Sequence, residues 1–331
     1  MSQRGPQGLV ERMEHHQVAI YLAAMAAGVL LGWAAPAAGP GLEQAISPVL
    51  GALLFVTFLQ VPAGELVRSL RDGRFLSAAL AVNFVAVPLV VAAMFVFLPA
   101  DQAVRLGVLL VLLCPCVDYV IVFSGLAGGS SRRLLAATPL LLVAQMALLP
   151  VFLYLFMGSE LADIVEAGPF LEAFLTLIVI PLALAWALQT WAARHPAGQR
   201  VSEAATTTMV PLMAATLLVV VASQVPKLDG NLGDVAAVVP FYAVFLIAMA
   251  FIGKAVARLF RLAAPAGRAI VFTGATRNSL VVLPLALALP DDLAVAAVVV
   301  VTQTLVEVIG MVGYVRLVPR LVPEERPATA G

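Results

Sequence analysis

The 331-residue chain is 62% hydrophobic and 11% charged, with 19 basic and 19 acidic residues in balance. Soluble domains carry about 25% charged residues and roughly half apolar ones, so a water-facing globule is excluded. The zero net charge leaves no basic field to attract nucleic acid.

Residues 1–17 are polar, with Arg4, Glu11, Arg12 and Glu14, and lack the small-residue cleavage pattern of a signal peptide; they read as a cytoplasmic leader. A bilayer core of about 30 Å needs roughly 20 mostly apolar residues per helix. Ten stretches meet that template: 18–35, 45–66, 75–98, 104–126, 134–157, 170–193, 205–225, 235–256, 269–289 and 293–317. Pro48, Pro62 and Pro211 interrupt or flank the second and seventh. The expected fold is an all-α polytopic membrane protein of about ten transmembrane helices. Residues 18–157 form a first five-helix repeat, 158–169 an extracytoplasmic linker, 170–317 a second repeat and 318–331 a cytoplasmic tail. Five helices per half make the two halves enter the membrane in opposite directions, as in inverted-repeat transporters.

Charge in the connections fixes the direction. Arg4, Arg12, Arg68, Arg71, Arg74, Arg132, Arg133, Arg194, Arg200, Lys254, Arg258, Arg261, Arg268, Arg316, Arg320 and Arg326 fall on the side of the N-terminus. Only Arg105 and Lys227 fall on the other, among Glu160, Asp163, Glu166, Asp229, Asp234, Asp291 and Asp292. Basic loops stay cytoplasmic during insertion, so both termini are expected in the cytoplasm and the protein in the inner (plasma) membrane.

Two spans are broken in the middle. The fourth carries Cys114-Pro115-Cys116-Val117-Asp118, and the ninth carries Gly274-Ala275-Thr276-Arg277-Asn278-Ser279 followed by Pro284. Proline removes a backbone donor and crowds the preceding turn, and freed backbone at that depth is tolerated only against protein or a wet cavity. Broken helices at equivalent places in two halves point to a substrate site, although proline at Pro88, Pro139, Pro150, Pro181 and Pro240 shows that it also occurs here without one.

Asp118, Arg277 and Glu307 are the ionisable groups well inside spans. Each costs roughly 2.5–3.5 kcal/mol at a helix centre on insertion scales, which suits a function. Arg277 would meet an anionic or polarised substrate, with Asp118 paired to it or carrying a proton. Glu307, with no cation near it in sequence, is the stronger proton carrier. A purely structural Asp118–Arg277 pair is the plain alternative. Cys116 and Cys114 offer soft sulfur to a thiophilic metal or metalloid, or are small buried residues and nothing more. They are too close in sequence to staple the fold by a disulfide. The substrate contacts expected are therefore Cys116, Cys114, Arg277, Asn278 and Ser124, and the proton groups Glu307 and Asp118, all lining one wet pocket. Tyr119, Gln145, Thr273, Thr276, Ser279 and Gln303 supply further polarity. His15, His16 and His195 lie in the connections, so no zinc site, no cofactor and no enzyme motif is expected.

These residues resemble the bile acid/sodium symporter superfamily, and within it the arsenical-resistance permeases that export arsenite. The resemblance runs through Pro62, Asn83-Phe84 with Pro88, the string from Cys116 to Gly128, Phe272 to Ala275 with Asn278, and Leu305-Val306-Glu307-Val308. It implies Cys116 as the functional thiol, Glu307 as a characteristic acid, a core domain with crossing broken helices, and a panel domain of the first, second, sixth and seventh spans. Leu280 stands where arsenite exporters carry an acid, Ile309 where they carry proline, and Val120-Ile121 where the sodium-coupled branch has Ser-Asn. Asp118 and Arg277 are charges outside the family pattern. The expected function is proton-coupled efflux of arsenite or a related metalloid; the alternative is an organic-anion transporter of the same fold, with Arg277 holding a carboxylate or sulfonate. The partners are that small substrate, protons and the lipid bilayer.

Overall fold

Uninterrupted apolar stretches close all their backbone hydrogen bonds as helices, and among the described residues seven do so over a length able to cross a membrane: Gln17–Ala34, Pro36–Leu59, Gly73–Phe95, Leu140–Met157, Met209–Lys227, Ala236–Leu259 and Val295–Leu321. These come from a computed structural model that describes residues 12–13, 16–60, 72–117, 119–158, 175–228 and 232–324. The described residues are almost entirely helical. In chain order the helices are α1 (Gln17–Ala34), α2 (Gly39–Leu59), α3 (Gly73–Ala81), α4 (Val87–Phe95), α5 (Gln102–Leu112), α6 (Tyr119–Leu126), α7 (Ser131–Met157), α8 (Ile180–Ala192), α9 (Pro196–Thr206), α10 (Met209–Gln224), α11 (Leu232–Leu259), α12 (Ala264–Ala275), α13 (Ser279–Leu287) and α14 (Val295–Leu321).

The fourth and ninth expected stretches are each split, into α5 with α6 and α12 with α13. The sixth begins among residues 159–174, outside the described ones. After α12 the chain turns extended at Thr276 (φ −84°, ψ 135°), and the Asn278 Oδ1 accepts from the Val281 N–H at 3.2 Å. An Asn at this position caps the orphan donors of a new helix. Pro284 lies inside α13, so the break belongs to the Thr276–Asn278 step rather than to that proline.

Other prolines are absorbed without a break. Between α3 and α4 the helix widens into a π turn at Val82–Ala86, two residues before Pro88. A second π turn at Leu175–Val179 stands in the same relation to Pro181. A wider turn gives room to a ring that has no N–H and crowds the turn behind it.

The chain divides into two compact units, one of residues 1–62 with 167–233 and the other of residues 63–166 with 234–331. The first gathers α1, α2, α8 and α10, which cover the described parts of the stretches expected as the first, second, sixth and seventh spans, together with the connecting helix α9. There α1 lies so close to α10 that a methyl group on Gly32 would stand 2.7 Å from the Ala222 carbonyl oxygen; small residues permit this kind of membrane packing. The Gln189 side-chain amide donates to the Phe58 and Leu59 carbonyls, both at 3.1 Å, which ties α8 to the end of α2.

In the second unit the interrupted helices form the centre. Every residue from Ala103 to Leu112 except Arg105 is buried, and so are Ala266–Ala275 and Ser279–Ala286. Helix α5 packs on α14 at Gly107, where a methyl group would meet the Ala296 carbonyl oxygen at 2.8 Å. Gly107→Ala is therefore expected to cost about 1–3 kcal/mol, read as a lower melting temperature of the purified protein. An unchanged melting temperature would show that α5 and α14 have room to part.

Candidate functional site

The two breaks meet in the second unit. Pro115 faces Arg277 in an isolated antiparallel bridge, where the Cys116 N–H donates to Thr276 O at 3.1 Å and the Asn278 N–H donates to Cys114 O at 2.8 Å. In an unbroken helix each N–H bonds the carbonyl four residues back. The Cys116 amide would serve Leu112, the Asn278 amide Gly274 and the Arg277 amide Thr273. At the crossing all three are diverted, the first two to the facing break and the third to Glu307 Oε2 at 2.7 Å. Three main-chain carbonyls thus lose their helical donors in the protein interior.

The Arg277 guanidinium collects those three. Its Nη2 donates to Thr273 O at 2.6 Å and Gly274 O at 2.8 Å, and its Nη1 donates to Leu112 O at 3.3 Å. A fourth bond runs from Nη2 to Asn83 Oδ1 at 2.8 Å. The π turn between α3 and α4 presents Asn83, whose own amide donates to Ala79 O at 2.9 Å and Thr273 Oγ1 at 3.2 Å. The guanidinium carbon lies 5.7 Å from the centre of the Phe245 ring, within the range of a cation–π contact. Helices α5 and α12 both end here, and helix C-termini carry partial negative charge. A buried cation at their meeting point is electrostatically matched.

Glu307 accepts on both oxygens. Besides the Arg277 N–H, the Tyr119 hydroxyl donates to Oε1 at 2.6 Å and the Gln303 side-chain amide donates to Oε2. Gln303 and Glu307 are four apart on α14 and so share one face. The Tyr119 hydroxyl also lies 3.2 Å from Arg277 O. The Glu307 carboxyl thus grips the main chain of the second break rather than the Arg277 side chain. Thr304 extends the seam through its hydroxyl, which donates to Ser279 Oγ at 2.7 Å.

Of the expected site residues, the structure gathers Cys114, Cys116, Arg277, Asn278 and Glu307 at the crossing. Ser124 lies elsewhere: its carbonyl accepts from the Ala127 and Gly129 amides in the turn that ends α6, beside Ala269. Asp118, and with it the expected pair to Arg277, lies outside the described residues. Among the described residues the crossing is tightly packed. Arg277 and Glu307 are 0% exposed, and both cysteines, with no disulfide between them, are 1% exposed. A cavity of about 820 Å³ lined by Lys254, Arg258, Arg261 and Glu324 opens at the ends of α11 and α14. Three buried polar atoms at the crossing have no partner among the described residues: Arg277 Nε, Asn278 Nδ2 and Gln303 Oε1. Asn83 and the three carbonyls were not foreseen from sequence. Every residue carries a carbonyl, and only the path of the chain reveals which ones have lost their donors.

Residues 47–230 match the family model described as the Sodium Bile acid symporter family. That stretch includes the first break and ends before the second. No curated protein matches the chain.

Proposed function

The chain belongs to the sodium bile acid symporter family, and from that premise we propose that it exports arsenite or a related metalloid in exchange for protons, with Cys116 as the thiol contact. It is a multi-pass membrane protein and a secondary transporter. The observation that carries the finer reading is that the main chain of Cys114 and Cys116 and the Glu307 carboxyl are tied into one hydrogen-bonded crossing, where both buried thiols are carried. Soft sulfur selects trivalent arsenic over hard oxygen-seeking ions, and the carboxyl is the natural proton site beside it.

Coupling follows from the donors around Glu307. An ionised carboxylate only accepts, and three donors meet it here. A proton on Oε1 reverses the Tyr119 bond, the hydroxyl turning its hydrogen to Arg277 O, whereas a proton on Oε2 competes with the Arg277 N–H and the Gln303 amide that share that oxygen. Protonation thereby reorders the bonds that hold Tyr119, α14 and the second break together. The reciprocal backbone exchange between the breaks supports an inverted five-plus-five repeat, with 158–169 as linker. The basic connections support cytoplasmic termini in the plasma membrane.

Sodium, the ion in the family description, does not fit the crossing: the oxygens that would hold a hard cation already surround the Arg277 guanidinium. The same commitment leaves the guanidinium poorly placed to hold an anionic substrate. The second reading, an organic-anion carrier, is favoured by the bile acid in that description and is separated by one experiment. An arsenite-sensitive cell expressing the chain is expected to gain resistance, and Cys116→Ser to return it to the level of an empty vector with normal amounts of protein in the membrane. Full resistance in the Cys116→Ser variant would reject the thiol contact. An organic-anion carrier would give no resistance to begin with, and its anion uptake would ignore the change.

A further inference from the structure

Discontinuous-helix transporters coordinate sodium or protons with unwound carbonyls and half-helix C-terminal ends. The ends of α5 and α12 converge in that way, and with Asn83 they offer four buried, uncharged oxygens: Leu112 O, Thr273 O, Gly274 O and Asn83 Oδ1. Oxygen cages of main-chain carbonyls and side-chain amides suit hard cations. All four oxygens bond one guanidinium at 2.6–3.3 Å, and the Phe245 ring lies beside it. A second cation among the same oxygens would face like charge in a dry interior, where repulsion is strongest.

We propose that Arg277 is a tethered cation that permanently fills a sodium-type oxygen seat where the two interrupted helices cross, so that this chain works with no sodium ion there. The proposal deepens the transporter reading and rests on its membrane placement. Its test needs no transported substrate, so its failure would leave the thiol experiment untouched, and the reverse also holds.

The full chain, purified in detergent, is melted in sodium, potassium or choline chloride at equal concentration, with or without a few millimolar guanidinium chloride. The parent is expected to melt at the same temperature in all of them. Arg277→Ala empties the seat while leaving room for an ion. It is expected to melt lower in choline and to regain roughly 5 °C in sodium or guanidinium, the scale that saturating a ligand site gives a chain of this size. If Arg277→Ala cannot be purified in choline, recovery in sodium or guanidinium alone supports the proposal, and recovery in none of the salts overturns it. A sodium-specific rise in the parent overturns it as well, and so does an alanine variant indifferent to both ions.

Discussion

Arg277→Met is expected to remove most of the folded protein. Methionine keeps much of the side chain's length but donates nothing, so Leu112 O, Thr273 O, Gly274 O and Asn83 Oδ1 lose their shared donor together. Each buried acceptor left alone costs about 1–3 kcal/mol, and at membrane depth no water replaces the bond. Even the lower bound, taken four times, is about 4 kcal/mol, a large part of the roughly 5–15 kcal/mol that separates a folded domain from its unfolded chain. The measurement is the yield and melting temperature of monodisperse protein in sodium-containing buffer. Arg277→Ala should survive better than Arg277→Met there, because alanine leaves the cage open to an ion and methionine fills it. A methionine variant as stable as the parent would mean that the four oxygens find other donors and that the guanidinium is not what closes the crossing.

The largest expected effect on activity is at Glu307, and here the substitution should leave the fold intact. A glutamine at this position keeps one oxygen for the Arg277 N–H and the Gln303 amide. Its new N–H₂ faces Tyr119, whose hydroxyl can turn its hydrogen to Arg277 O, already 3.2 Å away. Glu307→Gln therefore satisfies every donor now bonded to the carboxylate, but cannot take up a proton. A carrier tied to one proton per substrate gains about 1.4 kcal/mol, or tenfold in accumulation, per pH unit. In inside-out vesicles with an acidic lumen, the parent is expected to change its arsenite accumulation about a hundredfold over two pH units, and Glu307→Gln to stay flat while arsenite still exchanges across the membrane. A glutamine variant that follows the pH gradient like the parent would remove Glu307 from the coupling. Glu307→Leu, by contrast, strands the Arg277 N–H and the Gln303 amide, and is expected to misfold.

Hydropathy and charge were enough to read a helical, many-span membrane protein, and Pro115 marked the first break at the right place. Pro284 was a poorer guide. A proline six residues into α13 lacks only one helical bond, whereas the step at Thr276–Asn278 diverts two amides from their own helix. Arg277 and Glu307 stood out as charges in apolar sequence, and Tyr119, Thr273 and Gln303 as polar neighbours. Which part of each residue makes contact was not readable: Glu307 binds the Arg277 main chain, and the Arg277 side chain serves carbonyls from two helices and an amide from a third. Ser124 shares a helix with Tyr119, but five residues along an axis that rises 1.5 Å each carry it roughly 7 Å from the hydroxyphenyl-bearing turn, to the bend before α7. Side-chain direction and chain path decide such assignments, and neither has a signature in residue type.

The bridge between the breaks is made wholly of peptide groups, from Cys116 to Thr276 and from Asn278 to Cys114. Every residue except proline supplies both halves of a peptide hydrogen bond, so this bridge does not depend on the cysteine side chains. A hydroxyl can replace either thiol without undoing the knot, whereas Asn278 is also held to its place by the cap it gives α13. The thiols offered at the crossing can therefore change while the hydrogen bonds that join the two breaks stay in place.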